Sequence, residues 1–137
     1  MIKSSASQYT KGWIINQLNK RWVKSMRYEM RLNKLPFQQM LEGKKTIEVR
    51  LNDAKRKLIA VGDEILFSNR DNENQTIVKK VVDLRLYSSF AEMANNENCV
   101  QAGFNKGYTV EEVVDCYYTF YTEEEEKQFG VLAIELN

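Results

Sequence analysis

The sequence predicts an α+β domain: a small mixed β-barrel with short flanking helices and an extra helix at the N-terminal end. Three observations lead there. Several short stretches alternate apolar and polar residues, which is the period of a strand. Three hydroxyl–carboxylate pairs in the second half have capping-box spacing, and each marks the start of a short helix. Finally, 137 residues with 43% hydrophobic and 28% charged side chains have the composition of one globular domain. A chain of that length buries roughly two-thirds of its unfolded surface. Strands separated by short helices and turns fit a barrel with helices plugging its ends.

The elements follow in order. Residues 1–8 are small and polar, and read as a frayed start. From Tyr9 to Met26 the apolar residues Ile14, Leu18, Trp22 and Met26 recur every four positions, widened by Ile15 and Val23. This spacing predicts a helix, with Lys20, Lys24 and Arg27 on one polar face and Gly12 weakening its start. That face is either simply solvated or part of a surface for RNA. Residues 28–32 alternate as a strand. Pro36, at the first helical position, and Gly43, just past the end, bracket a short helix over 37–42. Residues 46–51 have perfect period two, with Ile47, Val49 and Leu51 on one face and Thr46, Glu48 and Arg50 on the other. A basic loop with Lys55, Arg56 and Lys57 precedes a turn at Val61-Gly62-Asp63 and a strand over 64–67. Residues 69–74 read as a hairpin loop and 76–87 as a long return strand. Capping boxes at Ser89/Glu92, Thr109/Glu112 and Thr122/Glu125 start three short helices. The run Glu123–Glu126 falls in the first turn of the last one, where the helix dipole favours negative charge by about 0.3–1 kcal/mol per residue. Residues 131–136 form the final strand.

Composition excludes several chemistries. The chain has no histidine, so a Ser-His-Asp or Cys-His centre, a His-ligated metal and a His pH switch are ruled out. Two cysteines, Cys99 and Cys116, have neither zinc-site company nor the look of a disulfide framework. They read as reduced thiols. With no apolar run of membrane-spanning length, a soluble cytoplasmic protein is expected. The net charge of +1 hides an asymmetry: residues 1–60 carry 14 Lys or Arg against 4 acids, and residues 61–137 carry 6 against 15. A segregation of this size suggests a basic surface for an anionic partner, unless the fold interleaves the two halves.

The densest constellation is Gly43-Lys44-Lys45-Thr46-Ile47-Glu48-Val49-Arg50. A helix ends, two lysines follow, and a strand leaves with Glu48 and Arg50 on one face. An anion at the mouth of that strand would meet Lys45 and Arg50, and Glu48 would orient either or act as a base. A carboxylate between two cations should stay ionised. The spacing equally fits a half-exposed strand with paired surface charges, each pair worth under about 1 kcal/mol.

Residues 28–136 resemble the ASCH domain of the PUA-like superfamily. The matching pieces are Leu35-Pro36-Phe37, the span Gly43 to Leu51, Asp53-x-Lys55-Arg56 and Val61-Gly62-Asp63-x-Ile65-x-Phe67. Near the end come Phe120-Tyr121-Thr122-Glu123-Glu124-Glu125 and the span Phe129 to Glu135. The pattern G-x-K-x-x-E-x-R followed by V-G-D-x-I is the specific part. The resemblance divides the chain into an extension, residues 1–27, and an ASCH domain, residues 28–137. It implies a PUA-like β-barrel beside a basic cleft, RNA binding, and in some members turnover of RNA or modified nucleosides. One branch hydrolyses N4-acetylcytidine through the Lys and Thr of G-x-K-x-x-T-x-R. Here Lys45 matches that Lys, but Glu48 stands where the Thr would be, so that activity does not carry over.

Two readings result. In the first, the domain binds RNA or a nucleotide: Lys44, Lys45, Arg50, Arg56 and Lys57 take phosphates, and Tyr118 or Tyr121 stacks a base. In the alternative it is a hydrolase, a ribonuclease or modified-nucleoside amidohydrolase. Glu48 is then the general base and Lys45 the electrostatic stabiliser. No cofactor is expected, and a divalent metal only for a nuclease. No membrane partner is expected, and the sequence leaves the oligomeric state open.

Overall fold

Strand pairing organises the molecule. The computed structural model describes residues 10–15 and 22–137. It contains strands β1 (Thr10–Ile15), β2 (Trp22–Leu32), β3 (Ile47–Leu51), β4 (Glu64–Asn69), β5 (Asn72–Tyr87) and β6 (Val131–Leu136). They form one sheet in the order β1-β2-β4-β5-β6-β3. Only β2 and β4 are parallel; every other pair is antiparallel. Helices α1 (Lys34–Leu41), α2 (Phe90–Asn96), α3 (Val110–Tyr118) and α4 (Glu123–Phe129) pack around the sheet, and a short 3₁₀ turn spans Arg56–Leu58. None of the described helices is long and apolar enough to cross a membrane.

Two expectations are corrected. The sheet is not a closed barrel: β1 and β3 are its outer strands, with no ladder between them. The N-terminal helix is also replaced. Residues 10–15 and 22–27 pair as an antiparallel hairpin, Thr10 opposite Arg27 and Ile15 opposite Trp22. A four-residue spacing caused the error, because four is close to one helical turn but is also an even number, so it equally marks one face of a strand. The step of two continues through Met26, Tyr28, Met30 and Leu32, which pack into one core. Tyr9 and the rest of the expected helix, residues 16–21, lie outside the described residues, as does the expected frayed start at 1–8. Strand β2 runs without interruption past residue 27.

Strand β6 explains the two-core arrangement. Leu132, Ile134 and Leu136 point into a core with Tyr28, Phe37, Met40 and Phe67. Val131 and Ala133 point the other way, to Ile47, Val49, Leu51, Phe90 and Val113. A strand covered on both faces must be apolar at nearly every position, as Val131–Ile134 is. Each large side chain so buried contributes about 1.5–3 kcal/mol. The period-two reading of 46–51 holds: Ile47, Val49 and Leu51 lie in the second core, and Glu48 and Arg50 project from the opposite face.

Local signals behave as their chemistry dictates, with small shifts. Thr109 and Thr122 make complete capping boxes. Ser89 accepts from the Glu92 amide, but the Glu92 carboxylate turns to Ser88 instead, so this box is half made. The first helix starts earlier than expected, with Asn33 as N-cap, which moves Pro36 to the third helical position. Asp63 is buried and accepts the amides of Ala60 at 2.8 Å and Met26 at 3.0 Å, tying the Val61-Gly62-Asp63 turn to β2. The hairpin at 69–74 is tighter than expected, since Asn69 already pairs with Asn72.

Candidate functional site

The opening in the sheet is where the candidate site lies. Among the described residues, strand β2 pairs with β1 only up to Arg27, and its last residues have no ladder on that edge. The free edge of β3 lies across the gap, which Arg50 bridges by donating from Nη2 to the Arg31 carbonyl at 2.8 Å. A cleft of about 460 Å³ occupies this place, with Lys45, Glu48 and Arg50 on its β3 side and Arg31 and Asn33 on its β2 side.

The floor is built by the turn after α1. Gly43, with φ of 77°, takes the left-handed conformation that an L side chain resists. The chain turns back there, and the amides of Lys44 and Lys45 both donate to the Gln39 carbonyl, at 2.9 and 3.1 Å. Lys45 is thereby pushed inward and is only 4% exposed. Its Nζ donates to Ile47 O at 2.7 Å and Ala102 O at 2.8 Å, and pairs with Glu48 Oε1 at 3.0 Å. An ammonium has three donors, and all three are used. Gly103 lets the loop come this close: a Cβ there would lie 3.1 Å from Gln39 Oε1 and 3.6 Å from Lys45 Nζ.

Glu48 is buried between Lys45 and Arg50, whose Nε reaches Glu48 Oε2 at 2.6 Å. Burial alone would push its proton affinity up. The adjacent charges and hydrogen bonds of Lys45 and Arg50 outweigh that and hold its pKa below the usual carboxylate value. For Arg50 burial acts against the charge, but Glu48 acts more strongly for it, and its pKa rises. Its Nη1 has no protein partner among the described residues, and each Glu48 oxygen accepts only one hydrogen bond. The floor therefore offers an unused donor beside unused acceptor positions.

The walls are aromatic. Tyr117, Phe120 and Tyr121 line the cleft. Tyr117 and Tyr121 both stack on the buried Phe90, with ring centroids 4.7 and 5.6 Å away. Burial raises the pKa of both phenols, Tyr117 strongly. Phe120 is 68% exposed at the rim.

The predicted site residues are only partly brought together. Lys45, Glu48, Arg50 and Tyr121 meet in the cleft. Arg56 lines an adjoining groove and pairs with Asp53 at 3.3 Å. Lys44 and Lys57 are exposed and line neither space, Lys44 pairing with Glu42 instead. Tyr118 does not line the cleft: it donates to buried Glu126 at 2.6 Å, which lifts its pKa to about 12. Its neighbour Tyr117, one position earlier on α3, faces the cleft in its place. Sequence reasoning also missed Arg31, Arg70 and Phe120. Arg31 alternates outward on β2 and Arg70 sits at a hairpin tip, so no local pattern connects them. Among the described residues no group of His, Cys, Asp and Glu is placed to hold a metal.

A family model described as the ASCH domain matches residues 30–137. The chain is similar to hypothetical protein PH0355, known from a crystal structure, with 40% identity and a TM-score of 0.71 over 82% of this chain and 98% of that one. It is similar also to protein PF0455 from Pyrococcus furiosus, known from a solution NMR structure, with 34% identity and a TM-score of 0.62 over 82% of this chain and 96% of that one. No curated protein of described function matches it.

Proposed function

This chain belongs to the ASCH domain family, and from that premise we propose that it is an RNA- or nucleotide-binding domain that uses the cleft between β2 and β3. The observation that carries this reading is the cleft's composition. Its charged floor is buried and fixed in place, its walls are the stacked rings of Tyr117 and Tyr121, and Arg31 and Arg70 stand at its mouth. Base-sized apolar walls beside cations are what single-stranded nucleic acid requires, because every base has a face to stack and every linkage carries a charge. The family is commonly considered to bind RNA, which agrees. Lys45 has no donor left for a phosphate, so in this reading it positions Glu48 rather than touching the ligand. The two cysteines stand unpaired, which suits the reducing cytoplasm where such a ligand is abundant.

The test is fluorescence anisotropy with a labelled single-stranded RNA across a salt series. Affinity should fall steeply with salt. Arg31→Ala with Arg70→Ala should weaken binding and flatten the log–log slope by roughly 0.7 for each phosphate that is no longer neutralised. Identical salt curves for the wild type and this double variant would place the ligand elsewhere.

A further inference from the structure

The cleft has a neighbour. A second groove, of about 610 Å³, runs over the outer face of β2 and β4 and is lined by Glu29, Lys55, Arg56 and Ser68. Arg31, Arg50 and Arg70 line both spaces, so the two meet along a ridge of three guanidinium groups. We infer that the two spaces divide the ligand: the cleft takes a nucleobase and reads its polar edge with Glu48 and Arg50, and the groove takes the sugar–phosphate backbone that continues from it. The ligand class is then a single-stranded oligonucleotide, not a free mononucleotide. This rests on the nucleic-acid reading above and deepens it.

The chemistry of the two spaces differs in kind. A phosphate on the cleft floor would face the Glu48 carboxylate and meet a single free donor, Arg50 Nη1, because Lys45 has none to give. A base edge suits the same floor, since base N–H groups donate to a carboxylate and ring or carbonyl acceptors take the free Arg50 Nη1. Tyr117 and Tyr121 supply walls made rigid by Phe90. Phe120 stands exposed at the rim, placed to close over a ring.

The groove has the opposite character. Five cationic side chains, Arg31, Arg50, Lys55, Arg56 and Arg70, face two acids, Glu29 and Glu73. The Arg31–Glu73 pair is more than 60% exposed on both sides and is therefore weak. Arg56 Nε is buried without an acceptor among the described residues, while its Nη1 pairs with Asp53 at 3.3 Å. Burial, and after it the neighbouring Arg56 charge, lower the pKa of Lys55.

The experiment uses the full chain and three probes: labelled RNA hexamers of each single base, an abasic hexamer, and the four nucleoside 5′-monophosphates. The wild type should bind its preferred hexamer at least about 100-fold more tightly than the matching monophosphate, because each further phosphate meets a cation of the groove. It should bind the abasic hexamer at least about tenfold more weakly than that hexamer, because the stacked base is missing. Lys55→Glu should weaken the hexamer about fivefold or more, and Glu29→Lys should strengthen it, each moving the salt slope by about 0.7 or more. Glu48→Gln should reduce the preference among bases without changing that slope, and melting curves check that each variant is folded. Equal losses of hexamer and monophosphate in Lys55→Glu would show that the groove is not a separate compartment. Abasic and normal hexamers binding alike, with no base preference to lose in Glu48→Gln, would show that the floor reads no base. If the wild type binds none of the probes, the nucleic-acid reading itself fails, along with this division of it.

Discussion

Two arginine–carboxylate clusters in this protein can be compared directly. At the cleft floor, Arg50 meets Glu48 while Lys45 pairs from the other side. On the far part of β5, Arg85 meets Glu97 through Nε and Nη2, and Asp83 and Glu135 through Nη1. Tyr87 adds its hydroxyl to Glu97. Both clusters depress their carboxylates' proton affinity: hydrogen bonds from Arg85 do this for Glu97, and the flanking cations do it for Glu48 against the push of burial. The Arg85 cluster has the more hydrogen bonds, yet all three of its guanidinium nitrogens are committed to its own chain. The floor cluster is buried more deeply and keeps Nη1 of Arg50 uncommitted beside a cleft. Charge pairing alone therefore does not separate a fastening from a binding site. The useful criterion is hydrogen-bonding capacity left unused and facing a space that a ligand can enter.

Breaking each cluster should sharpen that contrast. The largest effect is expected for Glu48→Ala, which leaves two buried cations facing each other. Chemical denaturation should show a loss of about 3–5 kcal/mol. Arg85→Ala strands Glu97, whose side chain is 4% exposed, but Tyr87 still donates to it. The loss there should be about 1–3 kcal/mol, with RNA affinity unchanged. Reduced RNA affinity in a folded Arg85→Ala protein would erase the distinction drawn here.

Acid should act on the floor with a definite sign. The folded pKa of Glu48 lies below the ordinary 4.5. Its ionised form thus contributes stability that is complete above that value and is lost as pH falls through the folded pKa. Wild-type stability should drop more steeply below pH 4.5 than that of Glu48→Gln. Parallel curves would mean that Glu48 is no more perturbed than a surface glutamate. The smallest effect is expected for Asp83→Asn, an exposed member of the Arg85 cluster. Its melting temperature should match that of the wild type.

How much of this was legible in the sequence depended on the range of the interactions. The faces of β3 were readable because six consecutive residues keep one period. The Thr109 and Thr122 caps were readable because both partners lie within four positions. The burial of Lys45 was not, since a lysine ordinarily reads as surface and one of its acceptors, Ala102 O, lies 57 positions away. The choice of Tyr117 over Tyr118 was hidden too: both rings contact Phe90, and what draws Tyr118 away is the Glu126 carboxylate, eight positions on. The open sheet was hidden for a similar reason: strand signals tell where strands are, but not whether the first and last of them meet.

That unclosed edge has a mechanical consequence. Where other neighbouring strands are stitched by a row of backbone bonds, the hydrogen bond that joins β2 and β3 among the described residues comes from one side chain, Arg50 to the Arg31 carbonyl. The same guanidinium holds Glu48 and keeps one nitrogen free. A molecule that draws Arg50 toward itself pulls on the rivet of the seam, and one that packs against it tightens the seam. Backbone amides along the ends of β2 and β3 should therefore report occupancy of the cleft through their rate of deuterium uptake, while the amides shared by β4 and β5, laced on both sides, should hardly respond.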